Sequence, residues 1–440
     1  MVSPTALAEH RTAPRQSTFK QAVPWMICLI AGIFYSYNYY LRVAHSSMEV
    51  ELLKEFHINA TEIGLLNTAY YLSYTLMQIP VGFILDRFNV RWVIFSACLI
   101  VVFGLGIFVS AQSFYQAVVG RFFIGLGSAF SYLCVLKLAT IWLQPNRFAL
   151  MAGLTTSMGK LAAGFSLFYL TYAVAQDGFR VALSSALIAG LVITGLVFTF
   201  VRNKKVTIDN HVIETRASTK EIFSQIGMLL RSKQMWLIGI VGMLLYLPAT
   251  IFIDQWGIPY LEAVHGLTPM QAAWSANLIL LGWLISSPIT GMISDVLQRR
   301  RMPLMITSAI ACVAFMIIFY GPELSKAQIY TLMLIVGLAC GSHPLCFSLA
   351  KENNLLRFSG IATALTNALI MSGGVFQSVV GKLLDLHFTG EVIDGIRVYS
   401  NSDYTFALSI IPIGFIVAII ISFTIRETHC RLLEEEPDEN

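Results

Sequence analysis

Apolar residues run along this chain in twelve long stretches separated by short polar breaks. The stretches cover residues 24–46, 62–85, 92–111, 115–141, 148–174, 181–201, 235–256, 271–294, 303–321, 328–349, 361–385 and 404–425. Each is near the roughly 20 residues that a helix needs to cross a bilayer. Inside lipid every backbone polar group needs an internal partner, so such stretches become helices. The pattern predicts an all-α membrane protein with twelve transmembrane helices in two six-helix, pseudo-symmetric bundles. The bundles fall at 24–201 and 235–425, with a tail at 1–23, a central loop at 202–234 and a second tail at 426–440.

Composition agrees with that picture. Of 440 residues, 56% are hydrophobic and only 12% are charged, about half the charge of a soluble domain. The first 20 residues are polar and lack the apolar core of a cleavable signal, so span one serves as the uncleaved signal. Seven cysteines lie in apolar segments or the C-terminal tail, which predicts no disulfides, and they show no metal-binding C-x-x-C spacing. Segment 219–230 of the central loop reads as a short amphipathic helix at the membrane surface. The basic run around it reads as headgroup-facing, not as a nucleic-acid site.

Charge distribution orients the chain. With both termini cytoplasmic, inner loops and tails hold 20 of the 29 Lys and Arg. The outer loops hold four (Lys54, Arg180, Lys326 and Arg397) and acids such as Glu49, Glu51, Glu55, Glu391, Asp394 and Asp403. This is the positive-inside bias.

After span two the chain reads Gly82-Phe-Ile-Leu-Asp86-Arg87-Phe88-Asn89-Val90-Arg91. After span eight, 209 residues later, it reads Gly291-Met-Ile-Ser-Asp295-Val296-Leu297-Gln298-Arg299-Arg300. Such a doubled device marks an internal repeat. The glycines are expected to let two helices approach, the aspartates to bond across the turn, and the arginines to hold the loop at helix ends and lipid phosphates.

These loops resemble the G-x-x-x-D-R-x-G-R-R signature of the major facilitator superfamily. Departures from it include Asn89 and Val90 in the first copy and Val296 in the second. Arg121-Phe-Phe-Ile-Gly125-Leu-Gly127 is similar to the family's span-four pattern, whose Arg the resemblance links to proton coupling or to the cavity wall. Gly153, Gly159 and Gly164 on span five are spaced for close helix packing. Tyr37-Asn38-Tyr39-Tyr40-Leu41-Arg42 looks like the span-one segment of organic-anion symporters. Asp254-Gln-Trp256-Gly-Ile-Pro259 and Gly373-Gly-Val-Phe-Gln377 look closer to bacterial carriers for amino acids, siderophores or organic acids and to lysosomal dipeptide carriers. The resemblance implies alternating access of a single chain, and the short tails without sorting signals favour a bacterial inner membrane.

Five basic side chains fall inside apolar segments: Arg42, Arg121, Lys137, Lys160 and Lys382. Charge at bilayer depth is costly and usually faces a cavity with a function. No acid of the first half lies at comparable depth, so the cavity is predicted to be basic and its cargo anionic or zwitterionic. Arg42 stands about 27 Å along span one and is either a cavity-facing fork for a carboxylate or a snorkelling anchor. Lys160, at mid-span, is the other candidate for substrate. Arg121 is either an interfacial anchor or a coupling residue, Lys137 either reaches toward the inner headgroups or serves coupling and gating, and Lys382 reads as an anchor.

Tyr37, Asn38, Tyr74, Gln78, Trp256, Asn367 and Gln377 complete the expected substrate lining. Asp254 is the clearest acid at depth and is expected to meet Arg42 as an outer gate. His343 carries a ring that titrates near neutral pH, beside the helix-breaking Pro344, and a hydrogen bond to a neighbouring helix is expected to satisfy it. Asn59-Ala-Thr61 is a formal glycosylation sequon in an outer loop. No P-loop, paired carboxylates, H-E-x-x-H or nucleophile elbow occurs, so neither enzyme nor cofactor is predicted, and protons are the candidate co-substrate. A metabolite or siderophore exporter is the runner-up, and a transporter-derived sensor the reading from another class.

Overall fold

The computed structural model describes residues 18–144, 147–202, 219–355, 358–393 and 396–431. The expected tails up to 17 and beyond 431, most of the central loop, Asp394 and the side chain of Asp86 lie outside the described residues.

Twelve helical spans are present among the described residues. Span one is Thr18–Val43, span two Ala60–Arg87, span three Val90–Val109 and span four Phe114–Trp142. Spans five and six form one helical run, Phe148–Phe200, broken at Gly178 by φ 78° and ψ 161°. That backbone lies in the region that favours glycine. Span seven is Lys233–His265, eight Pro269–Leu297, nine Arg301–Tyr320, ten Lys326–Glu352, eleven Ser359–Leu386 and twelve Asn401–Ser422. A short helix, Glu49–Phe56, follows span one. A two-stranded hairpin, Glu391–Ile393 with Ile396–Val398, precedes span twelve. The amphipathic segment expected at 219–230 is the helix Thr219–Arg231.

Starts on the face away from the termini share one device. Spans two, eight, ten and twelve open with Asn59, Thr268, Ser325 and Ser400, each in a reciprocal capping box with the residue three positions on. Each box satisfies two backbone donors that lipid would leave orphaned. The sequon Asn59 is one of these caps, accepting from the Glu62 backbone at 3.0 Å.

Span seven departs from the sequence reading, which ended it at 256. Pro259 does not end it, because it lies in the first turn of Gly257–His265, where a missing N–H costs little. The helix ends instead at Gly266, with φ 61°. Before that turn Pro248–Trp256 forms a π-helix, a rare form that recurs at functional sites.

The two halves repeat their packing. A Cβ on Gly337 would lie 2.8 Å from the Ile279 carbonyl carbon, and one on Gly125 would lie 2.8 Å from that of Tyr70. Tyr70 and Ile279 are 209 residues apart, the same offset as the two loops.

Candidate functional site

Hydrogen bonds between the halves run along span two from Thr61, which donates to Asp385 at 2.8 Å, to Gln78, which accepts from Asn367 at 2.9 Å. The termini-side ends of the spans bond within their own half. Arg91 donates to the Phe198 carbonyl at 2.9 Å, and Arg301 to that of Phe423 at 2.6 Å. Among the described residues the halves are therefore joined at the end away from the termini (the far end) and parted at the other (the near end).

Arg42 and Asp254 meet at this seal. The Arg42 Nε lies 3.4 Å from Asp254 Oδ2, and both side chains are about 95% buried. Tyr71 bridges them, accepting from Arg42 Nε at 2.9 Å and donating to Asp254. The guanidinium sits 5.0, 5.1 and 5.8 Å from the ring centres of Tyr39, Tyr71 and Tyr246. The snorkelling alternative for Arg42 is excluded, because the residue is only 4% exposed.

Arg121 is not an interfacial anchor. It is fully enclosed, donates to the Leu41 carbonyl at 3.1 Å and to Asn67, and stacks over Tyr70 at 4.9 Å. Asn67 donates to Gln255 and, at 3.3 Å, to the Asp254 carbonyl. Gln255 in turn donates to Glu49 at 3.1 Å. Sequence reading left Glu49 among the exposed outer-loop acids, whereas it is 4% exposed. The signal was present: Glu49, Leu52 and Leu53 share one face of a short helix at helical spacing.

Lys160 occupies the middle of the interface. Its ammonium lies 4.6 Å from the ring centre of Trp283 in the other half, with Cys340 and His343 of span ten within electrostatic reach. It has no ion pair among the described residues. His343 lacks the expected hydrogen bond. Both of its ring nitrogens are buried and unpartnered, and the ring packs 4.9 Å from Tyr246, 5.6 Å from Trp283 and 5.6 Å from Phe347. The neighbours brought to it are aromatic faces, which offer no lone pair in the ring plane.

The other lining candidates separate into two groups. Tyr74 stacks on Tyr70, and Gln78 with Asn367 bridges the halves. Tyr37 donates to the Ala186 carbonyl at 2.9 Å, Asn38 accepts from Ser128 at 2.7 Å, Trp256 donates to the Gln377 carbonyl at 3.2 Å, and Gln377 donates to Thr250. These four tie helices within one half. Lys137 is half-buried near the end of span four, and Lys382 is exposed.

The repeated loops are built differently. In the second, Arg300 binds Asp295 at 2.6 Å and Glu352 at 2.7 Å, while Glu427 accepts from the Arg300 and Arg301 backbones at 2.8 and 3.0 Å. Burial works against the Arg300 charge, but Glu352 and Asp295 hold its pKa above the ordinary value. Arg299 is exposed. In the first loop Asn89 caps Arg91, and Arg87 lies 3.9 Å over the Phe83 ring. Neither Gly82 nor Gly291 has an atom within 4 Å of where a Cβ would stand, so the close approach expected of them is absent at the parted end. On span five, Gly159 and Gly164 do sit against the Tyr35 ring and Asn277, while Gly153 faces open space.

Residues 21–378 match the Major Facilitator Superfamily. An uncharacterized transporter of Bacillus subtilis (strain 168), YybO, is 26% identical over 91% of this chain and 92% of its own length. The lysosomal dipeptide transporter MFSD1 of Danio rerio is 23% identical over 78% of this chain and 76% of its own. A solved bacterial homolog of the human lysosomal transporter Spinster, inward-facing and unoccupied, superposes with a TM-score of 0.76 at 14% identity, covering 93% and 97% of the two chains. With twelve spans, a duplicated signature loop and this match across most of its length, the chain belongs to the Major Facilitator Superfamily of membrane transporters.

Proposed function

We propose that the chain is a secondary active transporter that carries a small carboxylate-bearing organic solute, an organic acid, amino acid or dipeptide, by alternating access. Residues 24–201 and 235–425 are the two moving bodies, rocking about a midplane site as in two-repeat carriers. The protein works as a monomer in a bacterial inner membrane with both termini cytoplasmic, so the far end faces outward. Protons are the co-substrate, with Asp254, Arg121 and His343 the coupling candidates.

Lys160 carries the reading. It is a mid-span cation at the junction of the halves, without a carboxylate partner among the described residues, beside Trp283 and the unpartnered His343. A solute carboxylate supplies the counter-charge, and the aromatic faces of Trp283 and Tyr246 take its apolar part. Arg42 joins it only once the far end opens, because in the closed form Asp254 already occupies its fork. The dipeptide named for the Danio rerio relative is a zwitterion with one carboxylate, which fits this site.

A thermal-stabilisation screen of the purified protein against organic acids, amino acids, dipeptides, siderophores and cationic amines tests the reading. Acids or zwitterions are expected to stabilise the wild type and to lose their effect in Lys160→Met. Stabilisation by cations alone would sink the proposal.

A further inference from the structure

Glu49 opens the short helix that lies over the far end between spans one and two, and it is 4% exposed. No cation pairs with it among the described residues. The charged and titratable groups that face it are Glu262 from the last turns of span seven and Tyr404 from the start of span twelve. On its own helix Glu51 faces Glu262 in turn. A carboxylate held out of water, near a second carboxylate and without a cation, is unstable in its ionised form.

Among the described residues its one side-chain hydrogen-bond partner belongs to the other half. Gln255 donates to Glu49 on one side at 3.1 Å and accepts from Asn67 on the other, and Asn67 accepts from Arg121. Glu49, Asn67 and Arg121 are first-half residues, so Gln255 is gripped between two points of the opposing body. The far end cannot part without drawing Gln255 from that grip, and the same motion brings water to Glu49.

We propose that Glu49 is a proton-operated latch on the far-end gate, holding a proton taken from the water on that side while the halves are closed and releasing it when they part. Unlike the coupling candidates within the spans, this residue sits outside them and reads the pH of one compartment directly.

Burial pushes the Glu49 carboxyl up to about 8 from its ordinary 4.5, against the opposing pull of the Gln255 hydrogen bond. The raised value belongs to the closed form. The proton's support for closure is therefore complete below the ordinary value and is lost as pH rises through about 8. Between those limits the ratio of closed to open falls about tenfold for each pH unit.

The test needs no solute, so its failure leaves the transport reading standing, and failure of that reading leaves the latch untouched. Spin labels at Lys54→Cys and Lys326→Cys, on a background with the native cysteines replaced, report the far-end separation of the full chain in nanodiscs between pH 5 and 9 by pulsed electron resonance. Wild type is expected to gain the long distance as pH rises. Glu49→Gln, a permanent mimic of the protonated acid, is expected to stay short throughout. Gln255→Leu removes the hydrogen bond that joins the halves and is expected to move the midpoint to lower pH. A flat wild-type profile overturns the proposal, as does an unchanged midpoint in Gln255→Leu. So does a profile that survives in Glu49→Gln but vanishes in Glu262→Gln.

Discussion

The far and near ends of this molecule are lined with the same kinds of residue yet stand in opposite states. At the far end a Cβ on Gly64 would sit 2.6 Å from the Gln377 carbonyl oxygen, one on Gly374 would strike the Tyr71 ring, and one on Gly381 the Ala60 carbonyl. At the near end Gly82 and Gly291 face open space. The far-end glycines are in use and the near-end ones are idle. A body that rocks between two closures needs small residues at both ends and can engage only one set at a time. The polar chemistry follows the same division. Arg42, Tyr71 and Asp254 pair across the halves at the far end, whereas Arg91 and Arg300 pair inside their own halves at the near end.

Four substitutions break or sharpen this contrast. The largest effect is expected from Arg42→Met, which leaves Asp254 buried and unpaired at a cost of about 3–5 kcal/mol to the closed form. The far-end label pair should then report a mostly open population, and the double variant Arg42→Met with Asp254→Leu should recover closure. A single variant that stays closed removes the ion pair from the seal. Next comes Gly381→Leu, which overfills the contact with Ala60 and costs closure about 1–3 kcal/mol. Solute uptake into proteoliposomes should fall in proportion while the purified protein keeps its helical content.

Lys160→Met is expected to weaken solute binding by about 1.5–3 kcal/mol, the worth of a hydrogen bond to a charged group, without changing the far-end distances. Calorimetry and the label pair measured together separate binding from gating. Smallest of all, Gly82→Ala should move thermal stability by less than about 0.5 kcal/mol, since nothing lies near the added methyl. A larger loss would mean that the near end is closed in the resting protein.

The two loops make a finer comparison of the same kind. Asp295 and Arg300 of the second copy find Glu352 at the end of span ten. Span four ends instead in Trp142, whose indole donates to the Arg202 carbonyl at 3.2 Å. The duplication was legible as a spacing of Gly and Asp, but the missing acid belongs to a different helix and could be recognised only once the helices were packed.

Other readings failed for related reasons. Arg121 looked interfacial because it stands near the start of span four, but Asn67 and the Leu41 carbonyl reach it from two other helices. Span seven was ended at 256 because its continuation through the π-helix into Gly257–His265 was invisible in one dimension. Glu49 was grouped with the outer-loop acids, and its burial comes with spans that follow it by two hundred residues. His343 was expected to find a partner, yet packing brought it rings.

By itself the sequence determined the twelve spans, the division into halves, the repeated loop and the presence of buried cations. These follow from local rules: apolar length against bilayer thickness, and the cost of charge in hydrocarbon. Only the tertiary structure decided which cations are neutralised and which end is shut. Arg42 is paired with Asp254 and Arg121 is held by neutral acceptors, which leaves Lys160 as the mid-span cation without an ion pair among the described residues. Pairing depends on side chains from helices far apart in the chain, and closure is a choice between two packings of the same surfaces. Neither leaves a periodic trace along the chain.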